Sequence, residues 1–286
     1  MDWQPWQQEI DNCKVIITYD KNHQLYPISD WLHPGLIPIG NGDFDELYQD
    51  LPNLEWFLRH LGWLGFYNVD VTSSERLRGL DLINETISKP MNLRFLVDDW
   101  IDEIINMSES VENIILVSGL YLTNSDLRKA VLHHIQSGNS ATLLAVRGLQ
   151  FQVGLVTFDE ETNLISDFQE KPIDKTQLVN SKILILNLKN EYSKDLLIEF
   201  REYLHKISNL NKQLNQSIIN IDYINELIQF LIKKDLLSTI ELTGVKGEPW
   251  FLDLSKIETW IKLDPQFFIQ NFKHLFNCEN FILSPN

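Results

Sequence analysis

Few residues in this chain are of a type and spacing that chemistry demands. The two cysteines, Cys13 and Cys278, lie near opposite ends and lack metal-ligand spacing. His133 and His134 are adjacent on what reads as a helix, so one packs and the other meets solvent. Neither has a His, Asp or Cys partner at ligand distance in sequence. Three carboxylates stand out by context. Asp20 follows a β-branched run, Asp126 ends an Asn-Ser-Asp triplet suited to capping a helix, and Asp253 lies just after Trp250. One carboxylate rarely holds Mg²⁺ without further oxygen ligands. Glu170 and Lys171 form a charged pair at a strand end, where the ammonium serves its neighbours Glu170 and Asp167 or an outside anion. Trp56, Trp63, Trp100, Trp250 and Trp260 read as core. Trp3 and Trp6, in a polar stretch, either dock on the domain or await a partner.

Composition narrows the classes. There are 286 residues, 44% of them hydrophobic and 11% aromatic. Such a chain can bury a large core and is not a disordered one. Twenty-four basic against 40 acidic residues give −16. That field repels phosphate backbones, so nucleic acid and anionic membrane surfaces are poor partners. The opening MDWQPWQQEID has neither a basic region nor an apolar one, so no signal peptide is expected. No apolar run approaches the roughly 20 residues of a membrane span. A reduced, cytoplasmic protein is the expectation.

The elements that must position these residues follow from periodicity. Residues 1–12 read as a polar extension and 13–286 as one domain. Strands are expected at 13–19, 67–73, 93–97, 113–123 (broken at Ser118-Gly119), 140–148, 182–188 and 237–245, with a hairpin over 151–172 turning at Asp159–Asn163. Helices are expected at 54–66, 75–88, 100–110, 127–138 (stopped by Gly138), 192–208, 222–234 and 255–278. The stretch 20–53 has no clear period and holds Pro27, Pro34, Gly35, Pro38, Gly40, Gly42 and Pro52. It reads as a long structured loop, of a length often tied to function. Alternating strands and helices imply a three-layer α/β/α domain with a mixed, mostly parallel sheet. The strand at 113–118 should be central, because it is apolar on both faces. There is no hexapeptide repeat, hence no β-helix.

Taken in order, several segments resemble the sugar-phosphate nucleotidyltransferases, which make nucleotide sugars. FQEKP (168–172) resembles their F-x-E-K-P. LVNSKILIL (178–186) resembles the strand that follows, VGLVTFDEETNLISDF the hairpin before it with Gly154 as its glycine, and ILVSGLYLTNSDL (115–127) the mid-domain strand-glycine-aspartate run. PWFLDLSKIETWIKLDP (249–265) resembles a late W-x-D-I-G element, and 14–42 the first strand and signature loop. The resemblance implies a Rossmann-like nucleotidyltransferase fold. It also implies a reaction between a sugar 1-phosphate and a nucleoside triphosphate, catalysed by positioning and charge neutralisation. The family uses a glycine-rich loop with an arginine, a following lysine, and two distant aspartates on Mg²⁺.

Against that pattern, Gln24 stands where the arginine would be, Pro34 at the lysine, and Leu120 at the first metal aspartate. The loop glycines are gone, and Tyr19 and Asp20 bring bulk and negative charge to the phosphate position. The sugar side is better kept. Glu170, Lys171, Asn180 and Gly154 match sugar-phosphate positions, although Lys182 replaces the glycine after Asn180. Asp253 matches the second metal aspartate. Removing one preorganised charge stabiliser costs about 10²–10³ in rate, and three are absent together. The expectation is a degenerate member serving as a binding, regulatory or assembly subunit, as in regulatory subunits of ADP-glucose pyrophosphorylase. No cofactor is expected, and a protein partner or homologous subunit is. The alternatives are an active pyrophosphorylase with a rearranged site, which would need Mg²⁺, and a sugar-phosphate sensor.

Overall fold

A computed structural model describes residues 6–19, 25, 33–39, 51–73, 91–96, 100–107, 111–147, 155–158, 164–169, 178–189, 191–213, 222–245, 251–256 and 259–260. In chain order the elements are α1 (Gln7–Asp11), β1 (Cys13–Tyr19), β2 (Pro38–Ile39), β3 (Leu51–Pro52), α2 (Asn53–Leu64), β4 (Asn68–Ser73), β5 (Asn92–Leu96) and α3 (Trp100–Met107). They continue with β6 (Asn113–Ser118), β7 (Tyr121–Thr123), α4 (Leu127–Ser137), β8 (Ala141–Arg147), β9 (Leu155–Phe158), β10 (Ile165–Gln169) and β11 (Leu178–Asn187). The last are α5 (Glu191–Gln213), α6 (Tyr223–Lys233), β12 (Leu237–Glu241) and β13 (Phe251–Asp253).

Among the described residues, nine strands form one mixed sheet. β6, β1, β4 and β5 lie side by side and parallel, and β12 is parallel to β8. β11 runs antiparallel to β6, β8 and β9, and β10 antiparallel to β9. Two of the nine strands, β10 and β11, therefore oppose the other seven. β8 follows one edge of β11, while β9 and then β6 share the other edge. β6 sits inside the sheet, between β11 and β1, and its residues 113–117 are buried. That matches the central place its apolar run demands.

Alternation along the strands feeds two cores. Val15, Ile17, Ile115, Val117 and Ile185 face the layer with α1, α2 and α4. Ile16, Ile114, Leu116, Leu184 and Leu186 face the layer with α3, α5 and α6. Helix ends follow local chemistry. α2 stops at Gly65 and α4 at Gly138, both left-handed (φ 92° and 64°), a region open to glycine without strain. α6 starts where Asp222 accepts the Asn225 N–H at 3.0 Å. No helix among the described residues is long and apolar enough to cross a membrane.

Three differences from the sequence reading have simple causes. The polar extension is docked from Trp6 onward, because Ile10 on α1 is 1% exposed and anchors it. The stretch 20–53 includes a 3-10 turn at Pro34–Leu36 and the β2/β3 pair, and α2 begins at Asn53. β11 begins at Leu178, four residues before the expected strand, since its pairing with β8 resumes beyond an irregularity between Asn180 and Leu184. The helix expected over 75–88 lies outside the described residues, as does most of that expected over 255–278, where Ser255 and Lys256 form a turn rather than the helix start and Thr259 and Trp260 are helical.

Candidate functional site

From β1 the chain moves to β4 and β5 on one side, then returns to place β6 on the other. Directions diverge between β1 and β6. In open α/β sheets ligands bind in the crevice beyond the carboxyl ends of strands at such a switch point. Here those ends are Tyr19 of β1 and Ser118-Gly119 after β6, tied by the Gly119 N–H donating to Thr18 O at 2.8 Å.

The crevice is filled from within. Tyr19 is 3% exposed, and its ring lies against Gly119 so closely that a Cβ there would sit 2.3 Å from Cζ. A Cβ on Gly35 would lie 2.9 Å from the phenol oxygen. His33 meets the ring edge-on, with centroids 4.8 Å apart and planes at 71°. The phenol makes a long 3.4 Å hydrogen bond to Asn53 Oδ1. Asn53, fully buried at the first position of α2, also donates Nδ2 to the carbonyls of Pro34 and Ile37. It thereby fastens the 33–37 segment over the ring. His33 Nδ1 accepts the Gly35 N–H at 3.0 Å. Burial pushes His33 down to about 4 and the Tyr19 phenol well up, so both are neutral at pH 7. None of these described side chains brings a positive charge to a phosphate.

The two positions matched to metal aspartates do meet in space. β13 pairs antiparallel with β7, Asp253 opposite Tyr121, and the Leu254 N–H donates to Leu120 O at 2.8 Å. The occupants differ in kind. Leu120 is 4% exposed and belongs to the apolar core with Tyr19, Leu122 and Leu254. Asp253, also 4% exposed, accepts the Ser255 N–H at 2.9 Å through Oδ1, and Lys256 Nζ lies 3.7 Å from Oδ2. The cation beside Asp253 is thus an ammonium of the chain itself. Among the described residues no group of three or more His, Cys, Asp or Glu side chains could share a metal ion. With leucine on one side and lysine on the other, the described donors do not fit Mg²⁺.

On the far side of β6, Asn180 is fully buried in β11. Its Oδ1 accepts the Lys182 N–H at 2.8 Å, while Nδ2 has no hydrogen-bond partner among the described residues. Lys182 takes the left-handed φ of 57° that a glycine adopts freely. Its side chain is 3% exposed and reaches the start of α6, with Nζ 3.0 Å from Asp222 Oδ2 and bonded to Asn225 Oδ1.

Pro34, Leu120, Asn180 and Asp253 are therefore placed. Gln24, Glu170, Lys171, Gly154, Asp20, Trp3 and Cys278 lie outside the described residues. Asp126 precedes α4 but pairs with Arg128 through two bonds of 2.8 and 2.9 Å rather than capping the helix. Of the paired histidines, His134 is the buried one, with Nδ1 2.7 Å from Thr142 Oγ1. Cys13 is buried, and burial beside Glu112 and Glu9 pushes its thiol up to about 12, so it is no nucleophile. His33, Asn53 and Lys256 were not singled out in the sequence. Only Lys256 had a signal, its spacing of three from Asp253.

Neither the family models nor the curated proteins contain a match to this chain. Solved structures do match. One is a protein of Bacillus anthracis designated a glucose-1-phosphate thymidylyltransferase and crystallised with sucrose, at 14% identity and a TM-score of 0.58. The match covers 93% of this chain and 96% of that one. At that identity the likeness shows the fold, which is nucleotidyltransferase-like.

Proposed function

We propose that this chain is a catalytically degenerate relative of the sugar nucleotidyltransferases that works by binding or assembly rather than turnover. The observation that carries the reading is the buried, apolar Leu120 at the end of the β7/β13 pair, where Leu254 bonds it and Asp253 faces Tyr121 instead, together with the Tyr19 ring in the switch-point crevice. Nucleotidyl transfer to a sugar phosphate, with loss of pyrophosphate, joins two anions, and its catalysis is charge neutralisation in a fixed geometry. Here an apolar side chain and a proline stand at the described positions where charge would be handled, and a neutral phenol lies where the phosphates would. Pro34 supplies a carbonyl to Asn53 and offers no cation. A protein partner or homologous subunit follows from this reading. The test is a pyrophosphate-release assay with common sugar 1-phosphates, nucleoside triphosphates and Mg²⁺. Only background release is expected, and turnover of about 1 s⁻¹ or more would sink the proposal.

One observation favours a second reading, a sugar-phosphate sensor. Asn180 presents a fully buried amide donor with no partner among the described residues, on the strand matched to the sugar side. A buried donor without an acceptor costs about 1–3 kcal/mol, and a ligand oxygen would remove that cost. Calorimetric titration with glucose 1-phosphate decides it. Binding by the wild type that is lost in Asn180→Ala supports the sensor, and no heat in either protein excludes it for that sugar.

A further inference from the structure

We infer that Tyr19 is a built-in occupant of the switch-point crevice, a side chain seated where a planar aromatic ligand would otherwise lie. The inference deepens the degenerate reading and rests on it. Three features of the seat carry it. Two glycines lie against the ring, and each lacks a Cβ at a place where one would strike the phenol, at 2.3 Å from Cζ for Gly119 and 2.9 Å from Oη for Gly35. The edge is closed by the His33 imidazole at 4.8 Å in a T-shaped contact, one of the preferred geometries for aromatic pairs. The polar end has its own acceptor, Asn53 Oδ1. The seat therefore leaves room for a ring against glycine backbone and supplies one acceptor at its polar end. That suits a phenol or another flat ring with one donor.

Removing the ring should leave this seat open, since Asn53 holds the 33–37 segment through backbone carbonyls that do not depend on Tyr19. A rigid apolar cavity of ring size takes up aromatic molecules. Tyr19→Ala should therefore bind p-cresol, the free form of the lost side chain. At ten times its Kd, p-cresol should raise the folding constant of Tyr19→Ala about tenfold, with a matching rise in Tm. The wild type and Tyr19→Phe, which keep the ring, should not respond. Uridine and thymidine triphosphates should not shift the wild type.

A second measurement needs no ligand. Gly119→Ala should be strongly destabilising in the wild type and much less so in Tyr19→Ala, giving a large coupling in a double-mutant cycle. Tyr19→Val replaces Tyr19→Ala if the latter does not fold. If neither folds, Gly119→Ala alone decides, because an unchanged denaturation midpoint would mean the ring is not seated there. A folded Tyr19→Ala that ignores p-cresol overturns the inference, as does a wild type stabilised by a nucleotide. These results are independent of turnover. A wild type that releases pyrophosphate sinks the degenerate reading, whereas an inactive wild type with an unresponsive Tyr19→Ala sinks only the occupant.

Discussion

Leu120→Asp puts a carboxylate next to Tyr121, the residue that faces Asp253, and the structure lets its cost be worked out. Leu120 is 4% exposed and packed in the core cluster with Tyr19, Leu122, Leu252 and Leu254. Losing that burial costs about 1.5–3 kcal/mol. The new carboxylate also needs partners, and the nearby cation, Lys256, already lies 3.7 Å from Asp253 Oδ2. Leaving a buried charge uncompensated brings the total to about 3–5 kcal/mol. For a chain of this length about 2 °C of Tm accompanies each kcal/mol, so Tm should fall by roughly 6–10 °C by that scale. The variant then has two carboxylates within one strand pairing of each other. Mg²⁺ at ten times its Kd should return about 1.4 kcal/mol, close to 3 °C by the same scale, and the wild type should show no response. Pyrophosphate release should not appear, since Pro34 still stands at the lysine position and Tyr19 still fills the crevice. Thermal melts of both proteins with and without millimolar Mg²⁺ test this. A wild-type shift equal to the mutant's would mean that Asp253 already shares a cation, and the degenerate reading would fail.

Two further expectations concern buried charge. Asp70 is fully buried between Lys14, at 2.6 Å, and Arg94, which donates from Nε and Nη2 at 2.9 and 2.6 Å. Asp70→Asn should cost about 3–5 kcal/mol in urea unfolding, because Lys14 is left buried without its counter-ion; a loss below 1 kcal/mol would contradict this. His134 is held down to about 4, first by burial and then by His133. Its ring stays neutral in the folded protein while the unfolded chain takes up a proton below 6.5. Stability is therefore complete above pH 6.5 and falls as pH drops from 6.5 to about 4. His33, held near the same value by burial, adds to the fall in the same window. His134→Gln should make the pH dependence shallower by one proton over that range, and an unchanged slope would refute the assignment.

The elements were largely legible because their signals are local. The alternation that sends Val15 and Ile17 to one face and Ile16 to the other can be read from seven residues. Gly138 marks the end of α4 by its lack of a side chain. The β9/β10 hairpin follows from two alternating runs and a polar turn. The site was less legible, since its contacts join distant segments. Nothing near Tyr19 in sequence says that its ring rests on Gly119, a hundred residues on, or that Asn53 ties down Pro34 and Ile37. In the sequence Lys182 stands in place of a glycine. It keeps the left-handed backbone and offsets its cost, about 1–2 kcal/mol, with a buried contact to Asp222 and Asn225. A side chain reaching across to a helix forty residues later leaves no periodic trace.

β11 has a consequence for how the molecule assembles. Through it the β6-β1-β4-β5 set is joined to the β8/β12 pair and to the β9/β10 hairpin. Both edges of β11 are used, and its residues 180–186 are buried. During synthesis the four parallel strands emerge first and must wait for residues 178–187 before β6 gains its second neighbour. β8 waits for the same segment, and for β12 after it. Late pairing across such sequence separations is slow. The unpaired edge of β6, buried and apolar in the finished protein, is meanwhile a template for pairing with another chain. The vulnerable period in this protein's life is the interval between translation of β6 and translation of β11, and the native sheet closes it with one strand.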